Sequence, residues 1–476
     1  MDPLTLKPNL LKNIIVRCLS FGVLIIAVRF AFLVAIRGQL CVASDDFCLF
    51  NVRYVSSVAV KSEKYIDFYS SVFQDLIAEG YLSPNSKALC IETVTGEEVH
   101  ALKRIGVSES IGISKKASPP LILRGQAWNQ PFKGNSFDFE FSSGLERSGF
   151  PVEFGWEICR TLKPGGFLVV HVTAKDAYSL QSFLDLFNCL RLIESLESYG
   201  PDSSTKIQEI VMKKERQNSP LNGNSGDKCS ALELKREIIR NAEPLIKQEP
   251  LKPWITLKRN IRNIKYLTSM VDISFKRKFV YVDVGARSYG SSIGSWFKKQ
   301  YPKQNKNFEI YAIEADKAFH EEYKMKKNVK LLPYAAWIRN ETLFFEITRD
   351  PRKKDAMQKA RGMGRKHPVQ SSVTYVEDVD KIQGFDLAEW LKSVVSERDF
   401  VVMKMDVEGT EFHLMPRLIE TGAICLIDEV FLECHYNRWQ RCCPGQRNPK
   451  YHNTYAQCLD LFNSLRARGV LVHQWW

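Results

Sequence analysis

The chain has 476 residues, 45% of them hydrophobic, with 67 Lys and Arg against 54 Asp and Glu and a formal net charge of +13. That length gives room for two domains of ordinary size plus an N-terminal segment and linkers, and the apolar content suits globular domains. Zinc spacing, an RNA-recognition signature and aromatic–basic interleaving are all missing, which sets nucleic acid aside as a partner.

Residues 14–36 (IIVRCLSFGVLIIAVRFAFLVAI) are apolar over about the length that spans a bilayer. Arg17 and Arg29 interrupt the run. Arg17 can snorkel to an interface; Arg29 sits inside, at about 2.5–3.5 kcal/mol on insertion scales. A buried helix and a signal peptide cut near Ala43 are the other readings. The flanks favour a signal anchor, since Lys7, Lys12 and Arg17 lie at its N-terminal end, while Arg37 and then Asp45 and Asp46 follow it. The expectation is a single-pass type II membrane protein of Golgi type, with a cytosolic tail at 1–13, a transmembrane helix at 14–36 and a stem at 37–60. The rest is then lumenal.

The next stretch, 61–213, reads as an α/β domain. IDFYSSVFQDLIAEGYL at 66–82 has helical spacing, and SKALCIETVTGEE at 86–98 reads as a strand leading to Gly96. NQPFKGNSFDFEFSSGLERS at 129–148 and WEICRTLKPGGFLVVHV at 156–172 resemble segments of small-molecule class I methyltransferases. LKPGG reads as a tight turn before a strand, and Asp138 as the end of strand four. The cofactor positions of that resemblance are decayed. Glu92-Thr93-Val94-Thr95-Gly96 keeps one glycine where several are usual, and Ser114 and Lys115 stand where an acid is expected. The domain is therefore expected to have lost adenosylmethionine binding and to serve packing or protein partners.

A linker with helices is expected at 214–270. RQNSPLNGNSGDKCS at 216–230 is polar and rich in Gly, Ser and Asn; helical patterns follow at 231–242 and 256–270, separated by Pro244, Pro250 and Pro253. Basic residues crowd 257–278 and 352–366. A solvated loop and linker is one reading; a surface for an acidic acceptor, such as a uronic-acid polysaccharide, or for anionic membrane is the other.

Residues 271–476 carry the strongest signals. FVYVDVGA at 279–286 and VVMKMDVEGTE at 401–411 are runs of β-branched and apolar residues that stop in acid and glycine. Buried parallel strands end this way where they meet a ligand crevice. With YAIEAD at 311–316, LPYAAW at 332–337, GFDLAEWL at 384–391 and FLECH at 431–435, these segments resemble the FkbM-type S-adenosylmethionine-dependent methyltransferases, over roughly 278–435. The resemblance implies a Rossmann-like class I fold of mostly parallel strands with helices on both faces, one in each half of the chain. It also implies S-adenosyl-L-methionine as cofactor, with Asp283 and Gly285 in the first motif, Glu314 on the ribose hydroxyls and Asp406 near the cofactor. Asp406, His435 and Lys404 are the catalytic candidates; Lys404 neutralising Asp406 is the plainer reading of that residue. His435 has the intrinsic pKa of a base. One departure is Arg287-Ser288-Tyr289-Gly290, where the family continues with Asn-x-Gly. That Arg reaches a substrate carboxylate or crowds the cofactor. NAD chemistry is disfavoured because G-x-G-x-x-G is absent.

The twelve cysteines form no metal pattern and no readable framework. Asn340-Glu341-Thr342 is a sequon, usable only in the lumen. Methyl transfer to a hydroxyl of a glycan or similar acceptor is the expectation. The alternative is a catalytically silent scaffold in a membrane complex.

Overall fold

The computed structural model describes residues 52–475 apart from 146–148, 174–175, 203, 216–230, 347–378, 441–442 and 444. The expected anchor at 14–36, the polar run at 216–230 and the basic run at 352–366 lie outside the described residues. Among the described residues no helix is long and apolar enough to cross a membrane.

The first half forms a seven-stranded sheet. Its strands are β1 (Ala88–Ile91), β2 (Ser110–Ser114), β3 (Ile122–Arg124), β4 (Phe137–Ser142), β5 (Leu162–Val172), β6 (Leu190–Tyr199) and β7 (Lys206–Lys214). They lie in the order β3-β2-β1-β4-β5-β7-β6. Only β7 runs against its neighbours. Successive residues of β1 feed opposite faces: Ala88 and Cys90 pack with Phe73 of the helix Val52–Ala78, and Leu89 and Ile91 with Phe154 and Phe183 of the helices Pro151–Thr161 and Ala177–Leu184. This is the period-2 alternation of a strand covered on both sides.

Three local expectations shift. The helix expected at 66–82 begins at Val52, inside the segment read as stem. The LKPGG turn lies within β5 as an irregularity: Leu162 pairs with Phe137 and Phe167 with Phe139, so the residues between loop out. Asp138 begins β4 rather than ending it, and pairs with Lys163 at 2.8 Å.

The second half forms a six-stranded, wholly parallel sheet of β8 (Phe279–Val284), β9 (Glu309–Ile313), β10 (Lys330–Leu332), β14 (Phe400–Met405), β15 (Glu429–Leu432) and β16 (Leu471–Gln474). The order is β10-β9-β8-β14-β15-β16, with the direction of winding reversing between β8 and β14. A small sheet of β11 (Ala335–Trp337), β12 (Glu341–Glu346) and β13 (Val379–Asp386) stands beside it. Val280, Val282 and Val284 face one core with Leu391, Leu414 and Phe462; Tyr281 faces the other with Trp296 and Phe297.

The expected linker belongs to the second domain. The helix Ala231–Arg240 places Lys235, 1% exposed, on Asp428. The pattern at 256–270 splits into Pro253–Asn260, a 3-10 turn and Leu267–Met270; Pro253 opens the first piece, where its missing N–H costs nothing. The two domains pack directly. Tyr178 donates to Asp428 at 2.9 Å, and Phe183 meets Phe275 at 5.1 Å. Disulfides join Cys159 to Cys189 and Cys434 to Cys458.

Candidate functional site

In an open doubly wound sheet, ligands bind beyond the carboxyl ends of the strands where the winding reverses. In the second sheet that point lies between β8 and β14, and a cavity of about 640 Å3 opens there, within the range of small-molecule sites. Gly285, Glu314, Lys404, Asp406 and His435 all line it. The apolar wall comes from Ile313, Phe319, Tyr334, Trp337 and Leu343, so the small sheet closes one side. Trp254 and Leu257, from the segment expected as linker, close another.

Gly285 has φ +77°, and a Cβ there would stand 2.0 Å from the Asp406 carbonyl oxygen. Glycine is thus required by the close approach of two strand ends, rather than by a ligand alone. The next residues build a cradle. Arg287 adopts φ +53°, a costly conformation for a residue with a side chain, and its N–H donates to Glu314 Oε2 at 2.6 Å. Asp316 N–H donates to Glu314 Oε1 at 2.7 Å. Each Glu314 oxygen spends one lone pair on the backbone, and carboxylate oxygens have two. Arg287 itself lines the cavity beside it.

Asp283 does not reach the cavity surface. It is fully buried, accepts from Tyr281 at 3.2 Å and from Ser292, and lies 3.4 Å from Lys404. Its expected contact with cofactor becomes a supporting role. Lys404 is opposite Asp283 in the β8–β14 register, donates to the Gly285 carbonyl at 3.2 Å and lies 3.6 Å from Asp406. Burial opposes its charge, but Asp283, Asp406 and Glu433 raise its pKa. This is the neutralising role that the sequence allowed.

Across the cavity stands an acidic cluster. His435 is 8% exposed, and its Nδ1 lies 3.2 Å from Glu411 Oε1, which also accepts from the His435 backbone at 2.6 Å. Its Nε2 lies 3.7 Å from Asp406, 3.8 Å from Glu433 and 4.0 Å from Glu408. Burial works against the imidazolium, yet Glu411, Glu433 and Asp406 carry its pKa up to about 9. The surrounding carboxylates thus favour the imidazolium while no cation is bound. Burial first, then Asp406, pushes Glu433 up to about 8.

Glu408 sits at φ +52° and is held by Lys450 at 2.5 Å and by Tyr451. Lys450 and Tyr451 also line the cavity, and no motif pointed to them. Glu411 and Glu433 were visible in their motifs without a role; only the fold shows that both face His435. Asp406, Glu408 and His435 bring ligand-type atoms within 4.8 Å of one another, a grouping that no sequence spacing announced. Trp475 packs on Trp296 at 4.7 Å in the core, whereas Trp439 is exposed and stacked by Arg447.

The first sheet has the same reversal, between β1 and β4. Thr93, 1% exposed, donates to Glu98, as does Ser143 at 2.7 Å. Glu97 and Glu98 occupy the first turn of the helix that Gly96 opens, where the helix dipole would otherwise favour an anionic ligand group.

The family described as "Domain of unknown function (DUF7870)" matches residues 239–343 and 364–476. No curated protein matches the sequence. Structural neighbours include a Burkholderia thailandensis 1,6-didemethyltoxoflavin-N1-methyltransferase with S-adenosylhomocysteine bound; it is 11% identical, covers 36% of this chain and 95% of its own, and has a TM-score of 0.27. A SAM-dependent methyltransferase from Aquifex aeolicus is 14% identical, covers 29% of this chain and 88% of its own, and has a TM-score of 0.25. At such identities and scores the likeness assigns no activity to this chain, and the Rossmann-like architecture rests on the strand order described above.

Proposed function

We propose that the C-terminal domain transfers a methyl group from S-adenosyl-L-methionine to an oxygen acceptor, a glycan or another hydroxyl compound. The observation that carries this is Glu314: a carboxylate fixed by two backbone N–H groups at the rim of the winding reversal, with lone pairs left for two ribose hydroxyls. The cavity volume and the apolar face of Phe319, Tyr334 and Trp337 suit an adenosine. When bound, the cofactor supplies an electrophilic sulfonium methyl. The chain must align an acceptor oxygen with that methyl and take up a hydroxyl proton. The carboxylates around His435 are the groups placed to take it.

A dinucleotide is less well served. Its pyrophosphate needs a helix N-terminus directly after the first strand. Here the helical turn after β8 starts only at Ile293.

For residues 61–213 the reading is a non-catalytic, partner-binding domain, supported by Thr93 and Ser143 donating to Glu98 at its reversal. The chain as a whole is read as membrane-anchored through 14–36 in a secretory, Golgi-type compartment; the Cys159–Cys189 and Cys434–Cys458 bridges support an oxidising setting.

Calorimetric titration of S-adenosylmethionine and S-adenosylhomocysteine into the full chain tests the central reading. Glu314→Ala leaves two backbone N–H groups unpaired and removes the ribose contact, so affinity falls at least about tenfold, about 1.4 kcal/mol. A folded wild type that binds neither compound shifts the reading to the silent scaffold.

A further inference from the structure

The acidic cluster holds more negative charge than its cations balance. Asp406, Glu408, Glu411 and Glu433 gather around His435, with Lys404 beside Asp406 and Lys450 on Glu408. Within the cluster, Asp406, Glu408 and His435 stand within 4.8 Å of one another and line the cavity. A second observation points to a ligand at that spot. The His435 ring is more than nine-tenths buried, and its Nε2 makes no hydrogen bond among the described residues; the nearest carboxylate oxygen is at 3.7 Å. The ring is aimed there by Glu411, fully buried, on Nδ1. A buried carboxylate on the far nitrogen is the usual support of a metal-binding histidine, fixing ring orientation. Glu411 is itself pinned, since the Gly409 N–H donates to its Oε2 at 2.8 Å.

We infer that Asp406, Glu408 and His435 form a divalent-cation site on the acceptor side of the cavity. Two carboxylates and one imidazole suit a hard or borderline ion such as Mn2+ or Mg2+ more than a soft one. Three protein ligands leave positions open for water or an acceptor oxygen. Lys450 and Tyr451 both hold Glu408 Oε2, the oxygen that faces His435 Nε2 at 4.0 Å, and so fix its place in the cluster. The left-handed backbone of Glu408 turns its side chain into the cluster, which gives that strained residue a purpose. The role of the ion, presenting an acceptor hydroxyl, rests on the methyl-transfer reading; the site itself does not.

The test is Mn2+ binding to the full chain after treatment with a chelator, read by loss of the free-ion electron paramagnetic resonance signal. One saturable site per chain is expected, competed by Mg2+. His435→Ala and Glu408→Gln each weaken it at least about tenfold, and Glu411→Gln, which keeps all three ligands, weakens it roughly 10–100-fold. Glu314→Ala leaves Mn2+ affinity unchanged while adenosylmethionine affinity falls, so the two readings fail separately. If His435→Ala does not fold, Glu408→Gln carries the test. No Mn2+ uptake by the folded wild type, or uptake by Glu408→Gln and Glu411→Gln equal to that of the wild type, overturns the inference.

Discussion

Single residues in this chain repeatedly give up local comfort for position. Arg287 and Glu408 both take left-handed backbone, and both flank the cavity. Glu140 is a different case. It is fully buried on β4, neither carboxylate oxygen has a hydrogen-bond partner among the described residues, and burial pushes its pKa up to about 8. Its folded-state pKa thus lies above the ordinary 4.5, and the folded chain holds the extra proton. Stability should fall as pH rises from about 4.5 and level off above about 8, by on the order of a few kcal/mol. Glu140→Gln should flatten that slope and stabilise the chain at pH 8, which thermal melts across the range will show. An unchanged slope would mean that Glu140 stays ionised. Strand ends advertise themselves in the sequence, and Gly285, Glu314, Lys404, Asp406 and His435, all singled out there, line one cavity. The burial of Asp283 was not legible, because its place opposite Lys404 is a fact of sheet pairing, nor were Lys450 and Tyr451, which lie in a loop without a pattern.

Elements explain how the two halves are joined. The expected linker is two working pieces. The helix Ala231–Arg240 brings Lys235 under Asp428, and the helix Pro253–Asn260 supplies Trp254 to the cavity wall. Asp428 is 4% exposed and is reached by Lys235 and by Tyr178 from the other domain; burial opposes its charge, and Lys235 and Lys276 keep its pKa low. Tyr178→Phe removes a hydrogen bond to a buried charge and should cost about 1.5–3 kcal/mol. The loss should appear in chemical denaturation with adenosylmethionine affinity unchanged. Altered affinity would show that the domain contact also shapes the site. Sequence patterns foresaw the helix at 231–242, because its apolar spacing is local. They assigned it to a linker because its partner, Asp428, lies far along the chain.

At the scale of the whole molecule, one architecture occurs twice with different fates. Both sheets reverse their winding between the first and fourth strands in sheet order of appearance, and both are covered on two faces. At the first reversal Thr93 and Ser143 donate to Glu98; at the second a cavity of about 640 Å3 is open. The fold class was legible because buried parallel strands write themselves as apolar runs. The reversed strand β7 and the small sheet were not, since pairing direction leaves no mark on hydrophobic spacing. The two halves therefore make opposite predictions about the cofactor. The most direct measurement is an experimental structure of the full chain with S-adenosylhomocysteine. The account predicts one molecule per chain, at the β8–β14 crevice, with its ribose hydroxyls on Glu314 and the first crevice unchanged. A molecule bound only between β1 and β4, or at the second crevice with its ribose away from Glu314, would contradict it.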